Sequence, residues 1–171
     1  MPNPTLPPIF DFRTTRLKVT HWGETLADPI ARATLLLNLP GLLTDEVTRD
    51  LPPSYVLTED AAAWVAARQH ESDVYLISEQ DQLVGLLILF VDTQSAAIHI
   101  GYLFAQSAWG QGYATELLLG LIAAAPPPTT FLAGVATTNP ASAHVLRKAG
   151  FRLEAEQKEQ GMLTFSRKVE A

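Results

Sequence analysis

Between Val74 and Phe104 the chain runs through three apolar segments separated by short polar turns, and this stretch constrains the fold more than any other. Val74–Ser78 is followed by Glu79-Gln80-Asp81, then Leu83–Val91, a second turn at Asp92–Ser95, and Ala96–Phe104. Segments and turns of these lengths predict two hairpins, hence an antiparallel meander. Leu83–Val91 holds no polar residue, the pattern of a strand covered on both faces.

The flanking segments supply further elements. Arg16–Thr20 alternates polar and apolar and predicts a first strand. A helical pattern runs from Glu24 to Leu39 and is expected to end at Pro40-Gly41. A short helix follows Thr44 and stops at Pro52-Pro53. Thr58 reads as the cap of another, with Glu59 and Asp60 in its first turn and its end near His70. After the meander, Gly112–Ala125 predicts a helix apolar on most sides, and Thr130–Thr137 a strand. Asn139 as cap, Pro140 at the first helical position, Arg147 and Lys148 in the last turn and Gly150 at the stop mark one more helix. Phe151–Ala155 and Leu163–Val169 close the chain as strands. The sum is an α+β fold: a mixed, mostly antiparallel sheet of about seven strands flanked by helices. Residues 1–13 read as an N-terminal arm and 14–171 as a single domain, long enough to bury a core without staples.

Composition removes several functions. The chain has no cysteine, which excludes disulfides, thiolate metal sites and cysteine nucleophiles, and fits a cytoplasmic address. His21, His70, His99 and His144 lie on separate elements without ligand spacing, so no metal is expected. A net charge of -6 argues against nucleic acid as partner. No apolar run approaches a membrane span, and the start lacks the basic and apolar regions of a signal peptide. The charge is uneven: nine acids fall between Asp45 and Asp81, and none between Leu117 and Leu153. Such a split suits a cationic partner on one side and an anionic one on the other, and equally suits ordinary surface variation.

The anionic partner has a candidate seat. Trp109-Gly110-Gln111-Gly112-Tyr113-Ala114-Thr115-Glu116 lies between a strand and a buried helix. Small residues at 110, 112 and 114 let a ligand approach the backbone, and the first amides of the helix have no carbonyl partners within it. Together they suit a phosphate or pyrophosphate. A dinucleotide fingerprint would want glycine where Thr115 stands, and a triphosphate loop would want Gly-Lys-Ser/Thr; both are missing.

With Ile100-Gly101-Tyr102 before it, and Asn139-Pro140-Ala141-Ser142 and Lys148-Ala149-Gly150-Phe151 after it, this turn resembles the GNAT superfamily of acetyltransferases. The likeness is to its branch of ribosomal-protein N-terminal acetyltransferases. Thr15-Arg16-Leu17 and Val47–Pro52 look like that branch too, so the resemblance spans about residues 14–169.

The resemblance implies acetyl-CoA (coenzyme A) as cosubstrate and an amine as acceptor, either a protein N-terminus or a small molecule, with the protein a monomer or homodimer. It implies that backbone amides of Gly110, Gln111, Gly112, Tyr113, Ala114 and Thr115 hold the pyrophosphate, although Trp109 stands where Arg or Gln is usual. It further implies that the main chain of Tyr102, Leu103 and Phe104 holds the pantetheine arm and the thioester carbonyl, where one aimed donor can be worth about 3 kcal/mol. Asn139 and Ser142 would touch the arm near the sulfur, and Asn139 is equally a helix cap.

Many relatives protonate the leaving thiolate with a Tyr four residues before Gly-Phe; here that position is Leu146, and Ser142 is the substitute. Where the family often has a Glu base, this chain has His99, whose ordinary pKa suits proton uptake at neutral pH. The same residue reads equally as a partly buried histidine bonded to a neighbouring strand or loop, with the base acting through a water chain and no single essential side chain. The acids Asp45, Glu46, Asp50, Glu59 and Asp60 fall where the family borders its acceptor cleft, which suits an ammonium or a basic peptide, or simply solvent. The missing Tyr and Glu also leave open a non-catalytic acyl-CoA sensor.

Overall fold

The uninterrupted apolar run becomes β4 (Gln82–Asp92), hydrogen-bonded antiparallel to β3 (Asp73–Glu79) on one side and β5 (Ala97–Phe104) on the other. The computed structural model describes residues 8–58, 60–92 and 94–170. Successive side chains of a strand face opposite ways, and β4 divides accordingly. Leu87 and Leu89 enter one core, Leu86 and Ile88 the other. Each such burial contributes about 1.5–3 kcal/mol, so β4 needs no polar face.

The two cores belong to different helices. The first is closed by α5 (Tyr113–Ala124) and α6 (Pro140–Lys148), through Leu117, Leu118, Leu121 and Leu146. The second is closed by α2 (Pro29–Leu42) and α4 (Ala61–Glu71), through Leu35, Leu39, Trp64 and Val65. Trp22 and Trp64 meet edge to face there, with centroids 6.4 Å apart, both buried.

Among the described residues the sheet has eight strands. β1 (Phe12–Arg13) and β2 (Lys18–His21) precede β3, while β6 (Thr129–Ala136), β7 (Arg152–Gln157) and β8 (Met162–Val169) follow β5. The order is β1-β2-β3-β4-β5-β6-β8-β7. Every pairing is antiparallel except β5 with β6, whose connection contains α5. The additional strand is β1, a two-residue edge that alternation does not reveal. Residues 1–7 of the expected arm lie outside the described residues; Ile9 is buried, and its carbonyl accepts from the Tyr75 hydroxyl at 2.6 Å.

Three expected boundaries are corrected. The helix expected over 24–39 is two: α1 (Gly23–Ala27) and α2, parted at Asp28, which is extended and whose Oδ1 accepts from the Ile30 amide at 3.0 Å. The second runs on through Pro40, because Leu39 and Leu42 are both anchored in the core while Pro40 is exposed. The cap of α4 is Asp60, not Thr58: its Oδ1 accepts from the Ala63 amide at 2.8 Å. Glu59 lies outside the described residues. Thr44 does cap α3 (Asp45–Thr48), and Pro53–Tyr55 forms a 3₁₀ turn.

Candidate active site

The site begins where two parallel strands part. β5 pairs with β6 at Ile98–Phe131 and His99–Leu132 only, although each strand has eight residues. Its other edge stays paired with β4 as far as Phe104 opposite Gly85. From Ile100 onward, β5 therefore turns an unpaired main-chain edge toward the gap.

The chain next makes a 3₁₀ turn at Gln106–Ala108 and enters α5 through two left-handed glycines, Gly110 at φ +76° and Gly112 at φ +81°. Residues with side chains rarely adopt such angles. No side chain caps this helix, so its first amides lack a side-chain acceptor. A Cβ at Gly110 would meet nothing within 4 Å, which leaves the loop surface open to a ligand. Trp109, standing where Arg or Gln is usual, donates from its indole to the Phe104 carbonyl at 2.9 Å and so ties the loop to the end of β5. Beside Gly112, Arg16 stacks 4.2 Å from the Tyr113 ring centroid and pairs with Glu116 at 2.8 Å, holding the first turn in place.

α6 supplies the third wall. Asn139 Oδ1 accepts from the Ser142 amide at 3.2 Å, the expected cap. Ser142 Oγ in turn lies 3.2 Å from the Tyr102 hydroxyl. Burial raises the Tyr102 pKa above its ordinary value, and the bond to Ser142 opposes that rise, so the phenol remains protonated at neutral pH. The Tyr102 side chain was not among the expected site groups, which used only its main chain. Strand alternation puts it with Ile98 and Ile100, on the face that α6 covers.

These walls enclose a cavity of about 540 Å³. Of the expected residues, Tyr102, Leu103, Phe104, Gly110, Gly112, Tyr113, Ala114, Thr115, Asn139 and Ser142 line it. Gln111 is turned back, its amide donating to the Ser107 carbonyl at 3.1 Å. His99 is not in the lining; it stacks on Phe90 with centroids 4.7 Å apart, and its Nε2 is 3.5 Å from Asp92. Asp92 is held down to about 2 by the Ser95 hydroxyl, the Gln94 amide and His99. Leu146, at the position of the usual acid, is fully buried in the core.

A further wall comes from α3 and the residues after it: Glu46, Val47, Asp50 and Leu51. Two of the five expected acids, Glu46 and Asp50, thus face the cavity. Asp50 also accepts a long hydrogen bond from Thr138, at 3.5 Å, linking this wall to the loop before α6. Among the described residues no three His, Asp or Glu side chains gather as a metal would require. Nor is any described helix long and apolar enough to cross a membrane.

A family profile described as an acetyltransferase (GNAT) domain matches residues 16–152. No curated protein matches the chain. Among solved structures, a GNAT-family acetyltransferase from Bacillus anthracis is 15% identical, with 94% of this chain and 99% of that one covered and a TM-score of 0.71. An acetyl transferase from Salmonella typhimurium, described as modifying the N-terminal serine of a 50S ribosomal subunit protein, is 20% identical over 92% and 97%, with a TM-score of 0.66. RimL, a ribosomal alpha-N-protein acetyltransferase in complex with coenzyme A, is 22% identical over 96% and 98%, with a TM-score of 0.65. At these identities the likeness is one of fold.

Proposed function

This chain belongs to the GNAT acetyltransferase family and is an N-acetyltransferase, and from that premise we propose that it moves acetyl from acetyl-CoA directly onto the α-amino group of a protein or peptide. The observation that carries the reading is a single cavity joining three features: the uncapped start of α5, the open edge of β5 and the Tyr102–Ser142 pair. The open glycine loop and the volume of the cavity fit a diphosphate with a narrow arm behind it.

On this reading the amides of Gly110 through Thr115 hold the pyrophosphate, and the main chain of Tyr102, Leu103 and Phe104 extends the sheet onto the pantetheine arm. An amide on that edge faces the thioester oxygen, where negative charge develops during attack. Ser142 protonates the departing sulfur and is resupplied by the Tyr102 phenol, replacing the acid that Leu146 cannot provide. Asn139 caps α6 and borders the arm. His99, which lies outside the cavity lining with its Nε2 3.5 Å from Asp92, takes through water the proton the amine gives up.

Glu46 and Asp50 support a cationic acceptor, since they set negative charge on the cavity wall. The neighbours described as acting on protein N-termini favour a peptide over a free metabolite. A competing reading, a non-catalytic acyl-CoA binder in the same cytoplasmic setting, draws on the buried Leu146 and on the position of His99 outside the lining. Mass spectrometry of acceptors incubated with enzyme and acetyl-CoA separates these readings. Acetylation confined to peptide α-amino groups is expected; acetylation of polyamines or amino sugars alone contradicts the peptide reading, and none at all contradicts catalysis.

A further inference from the structure

Gly101 sits two residues past the last β5–β6 rung and immediately before Tyr102. The space its side chain would fill is taken by Tyr55. A Cβ at 101 would lie 3.0 Å from Tyr55 Cε2 and Cζ and would run into the hydroxyl. The phenol oxygen thus rests on β5 where the strands open, on the face opposite the Tyr102 side chain. That face also carries His99, two residues back and about 7 Å away along the strand.

Tyr55 is held there firmly. Its ring is buried, and the 3₁₀ turn that carries it is gripped twice from α4. Trp64 donates from its indole to the Tyr55 carbonyl at 3.3 Å, and the buried Arg68 donates to the Ser54 carbonyl. No hydrogen bond among the described residues uses the Tyr55 hydroxyl. A rigidly placed hydroxyl with free hydrogen-bonding capacity, at the mouth of a strand gap, is an arrangement that packing alone does not require.

We propose that Tyr55 is a catalytic residue on the acceptor side, whose hydroxyl oxygen accepts a hydrogen bond from the incoming amine and aims its lone pair at the thioester carbon. The inference rests on the acetyl-transfer reading above and adds to it a residue outside the acetyl-CoA walls. The amine lone pair forms the N–C bond while the C–S pair leaves with sulfur. The nitrogen's surplus proton leaves through water to His99, and the sulfur takes its proton from Ser142. Gly101 is then glycine because the hydroxyl must stand against bare backbone, and any side chain there would push it off the strand.

The test is Tyr55→Phe, which keeps the ring on Gly101 and removes only the hydroxyl. Coenzyme A release is measured with Ser- and Ala-initiated hexapeptides, spermidine and hydroxylamine as acceptors. Expected is a loss of about 10- to 100-fold in kcat/KM for the acceptor, with the KM for acetyl-CoA and the Tm unchanged. Gly101→Ala should reproduce that loss, and the double variant should be no worse than the weaker single. A Tyr55→Phe enzyme equal to wild type overturns the inference alone, as does a loss that follows the KM for acetyl-CoA. A wild type that turns over none of these amines overturns the inference together with the reading it rests on.

Discussion

The Tyr102 phenol on β5 and the Ser142 hydroxyl on α6 meet at 3.2 Å, across the gap left where β6 turns away. One comes from a strand and the other from the first turn of a helix, so their meeting depends on how α6 packs on the sheet. Ser142 owes its own position to the Asn139 cap beneath it. On the proposed mechanism this pair stands in for the acid that Leu146 cannot supply.

Ser142→Ala and Tyr102→Phe should each lower kcat by about 10- to 100-fold while leaving acetyl-CoA affinity within a few-fold of wild type. On the proposed relay, the double variant should lose little more than the worse single, as groups acting as a unit do. Steady-state kinetics of the four enzymes check this. Fully additive losses would show that the two hydroxyls act independently.

Gly110→Val should separate binding from folding. Nothing in the protein lies within 4 Å of the added Cβ, so the folding cost is mainly the left-handed angle at +76°, about 1–2 kcal/mol. The added side chain instead occupies the ligand's path over the loop. A modest drop in Tm without ligand, and loss of the upward shift with acetyl-CoA, are expected in a thermal melt.

Asp92 ties acid stability to the His99 turn. An unfolded carboxyl titrates at about 4, whereas the folded group is held at about 2 by Ser95, Gln94 and His99. The stability it contributes is complete above about 4 and is lost as pH falls through about 2. Asp92→Asn should therefore unfold at lower urea concentration than wild type at neutral pH, with the gap closing as pH falls from 4 toward 2. A gap that is constant with pH would assign the effect to something other than ionisation.

Glu46 and Asp50 both line the cavity. Neutralising both, as Glu46→Gln with Asp50→Asn, should raise the KM for a positively charged acceptor several-fold and weaken its dependence on salt. The KM for acetyl-CoA should hold or fall slightly. Initial rates at two ionic strengths check this, and an unchanged acceptor KM would return both acids to the solvated surface.

Much of this was legible in the residues, for identifiable reasons. β4 was legible because its centre, residues 85–89, is buried on both faces and so holds no polar residue, although Phe90 and Val91 beyond it are exposed. α6 was legible because Asn139, Pro140 and Gly150 each act locally, through a cap, a fixed φ and a left-handed stop at +86°. The break at Asp28 carries the same signal as α6, a cap residue before proline in Asp28-Pro29, but the helical pattern that runs on across it masks that signal. Asp60 outcompeted Thr58 as cap for a similar reason: both are good caps, and only the direction of the chain decides between them. The glycine loop was legible as a tight entry to a helix, since Gly110 and Gly112 take left-handed angles that side chains disfavour. Tyr102 with Ser142, and Tyr55 with Gly101, were beyond reach, because each joins residues remote in sequence whose approach is set by tertiary packing.

The central claim is that this cavity carries acetyl from acetyl-CoA to an amine, and coenzyme A thiol release from acetyl-CoA tests it most directly. The account predicts release that is negligible without an amine, rises with α-amino peptides, saturates in both substrates, and falls in Ser142→Ala. Equal release with and without every amine, or no thermal shift with acetyl-CoA, would contradict it.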